Sequence, residues 1–578
     1  MNPLRTSRRA FFGFLTALPA AQAFARPSEK YSGLHFEISF SPEMSTKALD
    51  GRVYLLLSRD GSREPRFQIS PEVGTQQMFG VDVNGFAPGA TASIDPSAQG
   101  YPFASVREIP SGDYFVQGLL NVYETFHLAS GYDVKLPPDR GEGQRWNIKP
   151  GNLYSTPQRL HLDPAGGGLL RIVLNQKIPP ISPISDTKYV KHLRIQSRLL
   201  TKFWGTPMEI GAVVILPEGW EEHPDARYPL MIQQGHFSPT WNWPTYFRTQ
   251  PPTPNLKGDE RAMAEYSFKF FQDWTSGRLP HMLLMIIQHA NPYFDDSYAV
   301  NSANVGPYGD AIVEELIPEV ERRFRGLGEP WARALYGGST GGWETLAMQV
   351  FYPDFFNSAW VFCPDPIDFR AFFTANIYDD KNLFWEEGPW LRIARPLLRS
   401  VDAQILATIK DNSQYALARG THRRSGTYFD VYEAVYGPAG PDGYPRPLYD
   451  RKTGAFDPEV VAYWREHYDL SHILQRDWKA LGPKLVGKLH FTVGTRDTWY
   501  LDNAVRLVQK FLESTNDPYY AGSFEYGPHM PHGFWGNAHV PHRIGQFTVH
   551  QRIMPAFEEW MAKTAPQGAD LTSWKYLL

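Results

Sequence analysis

The chain has one cysteine, Cys363, so no disulfide can form within it and its stability has to come from packing. It has almost no charge imbalance: 57 basic residues face 61 acidic ones for a net charge of −4, which leaves neither a basic field for nucleic acid nor an acidic tail. No paired histidines and cysteines stand at zinc-ligand spacing. No internal repeat is visible, and beyond the first 25 residues no segment is long and apolar enough to span a bilayer. These absences leave no nucleic-acid partner, no stable membrane insertion and no metal or cofactor to expect. What the sequence does have is hydrophobic and aromatic side chains, 42% and 14% of 578 residues. That is enough for a large core in more than one domain and for clefts lined with rings.

The N-terminus reads as a targeting segment. "TSRRAFFGFLTALPAAQAFA" sets Arg8 and Arg9 before an apolar stretch ending in Ala23-Phe24-Ala25. It resembles a twin-arginine export signal with a small-residue cleavage site. The stretch from Phe11 to Ala25 is shorter than the roughly 20 residues of a spanning helix. Residues 1–25 are therefore expected to be removed after Ala25, and the mature protein to be periplasmic or secreted. Such a route carries folded proteins, which suits a chain without disulfides. Cys363, in "AWVFCPD", reads as a small apolar residue at a strand end.

From Tyr31 to Leu174 the text runs in short alternating segments, among them "LHFEISF", "RVYLLLS", "YFVQGLLNVY" and "LLRIVLN". This predicts an all-β sandwich of immunoglobulin-like size over residues 30–180, with "YDVKLPPDRGEGQRWNIKPGN" as a surface loop. A proline-rich link, "KIPPISPISDTKYV", follows. Residues 190–578 then alternate strands with helices, the pattern of a doubly wound, mostly parallel α/β sheet that opens on an antiparallel pair, "HLRIQSRLL" and "EIGAVVILPEG". Between Asp365 and Leu481 that rhythm stops, and this stretch is expected to form a lid over the carboxyl ends of the strands.

The densest signal is "YGGSTGGWE", Tyr336 to Glu344, between a strand-like and a helix-like run. Four glycines around Ser339 suit a sharp strand-to-helix turn that lifts a serine hydroxyl out of the backbone as a nucleophile. A serine needs a histidine to take its proton, and the histidine needs a carboxylate to hold its tautomer. Asp497 follows the strand in "FTVGTRDTWYLDNA", with Asp502 as the runner-up explicable as a helix cap. His532 and His529 share the loop "PHMPHGFWG"; His532 is preferred as the base, leaving His529 as a substrate contact. The expected oxyanion donors are the backbone N–H of Thr340, at a helix start, and that of His236 or Phe237 in "QQGHFSPTWNW". The ring of His236 is assigned no role. Trp343, beside the serine, reads as packing with a further substrate-binding role open. Asp295, Asp296, Asp365 and Asp368 read as capping and solvated loop acids rather than metal ligands.

These motifs carry a resemblance. From Leu193 to Trp560, "YPLMIQQGH", "GDAIVEELIPEVERRF", "YGGSTGGWETLAMQVFYPDFFNSAWVFCPD", "VGTRD" and "HGFW" resemble the esterase D-like branch of the α/β-hydrolases, which includes feruloyl esterases, S-formylglutathione hydrolases and enterochelin esterases. A β-domain ahead of the hydrolase is similar to the enterochelin esterase layout. Two features depart from the family: the third strand ends in Gly235-His236 where the family commonly has His-Gly, and the lid is longer. The resemblance implies a carboxylic-ester hydrolase that works through an acyl-enzyme on Ser339, with a small-molecule or glycan-linked ester as substrate. Three other readings stay open: a prolyl-oligopeptidase-like peptidase, an acyltransferase using the same intermediate, and a glycan-binding protein with a degenerate hydrolase.

Overall fold

The structure is a computed structural model that describes residues 33–72, 74–139, 142, 145–236, 247–540 and 544–577. The expected export signal and Phe237 lie outside the described residues.

The N-terminal strands build two facing sheets. Leu34–Phe40 buries Leu34, Phe36, Ile38 and Phe40 in strict alternation, the period of a strand with one face on a core. It pairs in parallel with Gly168–Leu174 and antiparallel with Ala92–Ile94. In the larger sheet Leu49–Ser58 lies between Gln77–Phe86 and Gly112–His127. Val53, Leu55 and Leu57 face the first sheet across a shared core. The intervening Tyr54 and Leu56 point the other way, onto Trp146, Tyr415 and Ala418. The strand is therefore buried on both faces, and that is why its stretch from Val53 to Leu57 is apolar without alternation. The segment read as a surface loop is partly interior. It opens with strand Asp133–Leu136, whose Val134 and Leu136 join the core of the following sheet, and Trp146 packs on Tyr54 at 5.0 Å.

That second, eight-stranded sheet contains, in chain order, Val190–Ser197, Met208–Ile215, Leu230–Gln234, Leu283–Gln288, Arg333–Gly338, Ser358–Phe362, Leu489–Gly494 and Ser523–Gly527. Their spatial order is first, second, fourth, third, fifth, sixth, seventh, eighth. The second strand runs antiparallel to the first and the fourth, and the other pairs in the sheet are parallel. The predicted antiparallel opening is present, but its first strand stops at Ser197. The Ser197 hydroxyl accepts from Leu200 N at 3.1 Å and caps the helix Arg198–Trp204, so "RLL" is helical. The helical run 308–324 contains a wider π turn, Ala311–Leu316, before Ile317–Phe324. Pro318 follows at once and has no N–H to close the normal helical bond.

The stretch 365–481 forms two hairpins, Trp385–Glu387 with Arg392–Ala394 and Pro396–Arg399 with Ile405–Thr408, then the helices Ile409–Arg419, Tyr428–Tyr436 and Pro458–His467. Its last helix, Leu470–Leu485, runs past the expected end and packs on the helix behind Ser339, so it belongs to the cover of the sheet.

Candidate active site

The fifth strand ends at Gly338 and a helix begins at Thr340. Ser339 between them has φ 60° and ψ −124°, a conformation that side chains rarely adopt and that persists only where the surroundings impose it. They do so through close backbone contact: a Cβ at Gly341 would stand 2.2 Å from the carbonyl oxygen of Gln234, and one at Gly337 would stand 2.3 Å from that of Gly341. Ser339 N donates to Phe362 O at 3.1 Å, and its carbonyl accepts from Asp365 N at 3.0 Å. The turn is thus tied to the third and sixth strands on either side.

Asp497 and His532 meet as expected. Asp497 is fully buried and accepts from His532 Nδ1 at 2.8 Å and from Trp499 N at 2.9 Å. Burial opposes a charge on His532, but Asp497 outweighs it and raises the imidazole above its usual value. Asp502 starts the helix Asp502–Leu512 and accepts from Arg399 Nη2 at 2.9 Å, away from the histidine. It is the first helical residue rather than the cap itself. His529 is exposed, and its backbone N–H donates to Thr495 Oγ1 at 2.8 Å.

The serine hydroxyl points elsewhere. Ser339 Oγ donates to Asp365 Oδ1 at 3.4 Å, and among the described residues no hydrogen bond joins it to His532. Asp365 Oδ2 accepts three more, from Thr340 Oγ1 at 2.9 Å, Tyr298 at 2.9 Å and Tyr432 at 3.0 Å. Asp365 is therefore no solvated loop acid. Neither is Asp296, which is fully buried and lies 2.5 Å from His236 Nδ1; the other ring nitrogen, Nε2, lies 3.0 Å from Thr340 Oγ1. Only Asp368 follows the capping expectation, accepting from Arg370 N at 3.0 Å. Asp295 reaches the His236 ring at 3.5 Å. The acid pair and the His236 ring form a compact cluster, explained by an ion pair among the three.

Trp343 packs in the interior. It is fully buried, with its ring 5.6 Å from Tyr298 and 5.0 Å from Tyr436. Cys363 is buried as expected, and burial together with Asp497 pushes its thiol far up, which keeps it unreactive. Glu344, one turn into the helix, is fully buried, and burial aided by Asp296 pushes its carboxyl well above the usual carboxylate range. His289 faces it at 3.6 Å and is pulled down by burial to about 4. Both shifts favour the uncharged forms. Aromatic rings border the His236 side: Phe294 at 5.2 Å and Tyr428 at 6.3 Å from its ring, with Trp499 at 5.1 Å from Tyr428.

Residues 290–418 match a family model described as "Putative esterase". That segment is esterase-like. The matched segment holds Asp296, Ser339 and Asp365, while His236, Asp497 and His532 lie outside it. Among solved structures the chain is similar to a ferulic acid esterase (12% identity over 64% of this chain and 99% of that one, TM-score 0.36). It is also similar to an S-formylglutathione hydrolase from Agrobacterium tumefaciens (11%, 65% and 97%, TM-score 0.32). A third is FphF, a fluorophosphonate-binding serine hydrolase from Staphylococcus aureus (18%, 64% and 98%, TM-score 0.30). No curated protein matches the chain.

Proposed function

We propose that the esterase-like domain hydrolyses carboxylic esters through an acyl-enzyme on Ser339. The observation that carries this reading is the strained turn at Ser339, φ 60° and ψ −124°, between a strand and a helix start, with the Asp497–His532 pair on the loops after the seventh and eighth strands. Rotation about the Cα–Cβ bond turns the hydroxyl from Asp365 toward His532. Oγ then attacks the ester carbonyl while His532 takes its proton, and the oxyanion forms at the Thr340 N–H. The C–O bond breaks as His532 returns the proton to the departing alcohol. Water repeats the sequence on the acyl group and releases the acid.

The rings of Phe294, Tyr428 and Trp499 favour an aryl or apolar group on the ester. We read residues 30–180 as an immunoglobulin-like sandwich carried ahead of a hydrolase unit spanning 190–578, and the N-terminal arginine pair as an export signal to the periplasm or beyond. No helix among the described residues is long and apolar enough to cross a membrane.

The test is burst kinetics with p-nitrophenyl acetate on the mature protein and its Ser339→Ala variant, with a fluorophosphonate adduct located by mass spectrometry. The reading expects turnover, an adduct on Ser339 and a drop of about 10³-fold or more in the variant. Activity that survives the substitution, or an adduct elsewhere, overturns it.

A further inference from the structure

The His236 ring is bonded at both ends, to Asp296 and to Thr340. Asp365 Oδ2 accepts the Thr340 hydroxyl at 2.9 Å, beside those of Tyr298 and Tyr432. With that proton directed to Asp365, Thr340 Oγ1 offers a lone pair to His236 Nε2, 3.0 Å away, and the Tyr298 hydroxyl lies 3.3 Å from the same oxygen. The other nitrogen, Nδ1, faces Asp296 Oδ2 at 2.5 Å and donates as well. The remaining Asp296 oxygen is occupied by Tyr298 N at 3.1 Å. An imidazole that donates from both nitrogens is an imidazolium.

Given Ser339 as the nucleophile, we propose that His236 is a charged positioning residue of the oxyanion site. Held by Asp296 and donating to the Thr340 hydroxyl, it fixes the residue whose N–H receives the oxyanion and places a positive charge beside the charge that develops there. Two His–Asp pairs would then flank one serine with opposite tasks: His532–Asp497 moves the proton, and His236–Asp296 keeps its own.

The groups facing His236 agree. Asp295 and Asp296 approach from the loop after the fourth strand, and Asp365, after the sixth, is reached through Thr340. Tyr428 packs from the insertion. Glu344, from the helix behind Ser339, and His289, just after the fourth strand, are both pushed by burial toward their uncharged forms. His532 is the other cation-capable group in the site. Burial opposes the charge, but Asp296 and Asp295 outweigh it and hold the ring well above its usual value. The sequence marks His236 only as a backbone donor after the third strand and gives its ring no role.

The test uses the mature chain labelled with ¹⁵N-histidine, read by NMR at pH 8, beside steady-state kinetics of His236→Gln and Asp296→Asn. The proposal expects one doubly protonated histidine that disappears in His236→Gln and becomes neutral in Asp296→Asn. It also expects kcat to fall about 10- to 100-fold in both variants, with KM nearly unchanged and the fluorophosphonate still on Ser339. Thr340→Val keeps the amide but removes the hydroxyl, and it should reproduce the kcat loss if His236→Gln folds poorly. A neutral His236 at pH 8, or full kcat in these variants, overturns the proposal. An adduct that misses Ser339 in the unaltered protein would instead overturn the esterase reading, while the NMR result still reports the charge on His236.

Discussion

At the residue scale, the acids around Ser339 divide by burial and by partner. Asp497 gives one oxygen to His532 and the other to the N–H groups of Trp499 and Leu501, so both of its oxygens are engaged. Asp497→Asn should lower kcat by about 10³- to 10⁴-fold, because the amide stabilises the wrong tautomer of the histidine and no imidazolium. Asp502→Asn should change kcat by no more than a few fold, since Asp502 serves Arg399; comparing the two variants with p-nitrophenyl acetate checks both. The rise of kcat/KM with pH should be centred above 6.5, because His532 works as a base only when neutral and Asp497 raises its pKa. A pH profile of the unaltered enzyme reads that limb, and Asp497→Asn should move it to lower pH. Burial pushes the Glu344 carboxyl well above its usual range, toward the uncharged form. Glu344→Gln, which preserves shape and that uncharged form, should alter stability by no more than about 1 kcal/mol in urea unfolding.

At the element scale, the strand-to-helix turn works because glycine lets three pieces of backbone touch. Gly341 stands where any Cβ would strike the Gln234 carbonyl at 2.2 Å and the Gly235 Cα at 2.9 Å. Backbone at the end of the third strand cannot swing aside as a side-chain tip can. Gly341→Ala should therefore cost about 2 kcal/mol or more and slow fluorophosphonate labelling of Ser339 even where the protein still folds, as seen in thermal melts and labelling rates. The glycine pattern made this turn legible from sequence. The helix after Ser197 and the π turn before Pro318 were less so: each depends on one side chain, a serine cap and a proline without an N–H, acting inside a run whose apolar pattern suits the neighbouring element as well.

At the scale of the whole molecule, the insertion is gripped by the N-terminal sheets. Arg52, buried in their central strand, donates to Ala418 O at 3.1 Å, Leu417 O at 2.9 Å, Gly80 O at 3.0 Å and Asp82 at 2.9 Å. Tyr54 donates to Arg419 O at 2.6 Å, and Arg424 reaches Asp82 at 3.1 Å. The N-terminal strands thus hold the end of helix Ile409–Arg419, and the loop after it leads directly to Tyr428 beside His236. Arg52→Ala leaves three carbonyls without their donor and removes one of the two arginines on Asp82, so it should cost about 2–4 kcal/mol. Hydrogen exchange should quicken first between residues 409 and 424.

The sequence by itself determined what depends on near neighbours: the strand and helix periods, the glycine-bound turn at Ser339, and the two loops that offered Asp497 and His532. These signals are local, because a residue's period, cap or turn is set by the few positions around it. Only the tertiary structure decided that His236, Asp296, Thr340 and Asp365 form one network around the serine. They follow the third, fourth, fifth and sixth strands, and the exchange of the third and fourth in space brings together loops that lie far apart in the chain. The same holds for Leu49–Ser58, whose unbroken apolar run acquires meaning only once a helix from the insertion, more than 350 residues later, covers its second face. Hydrogen bonds and burial follow distance in space, and that distance is set by the order of strands, which the sequence around any one residue does not contain.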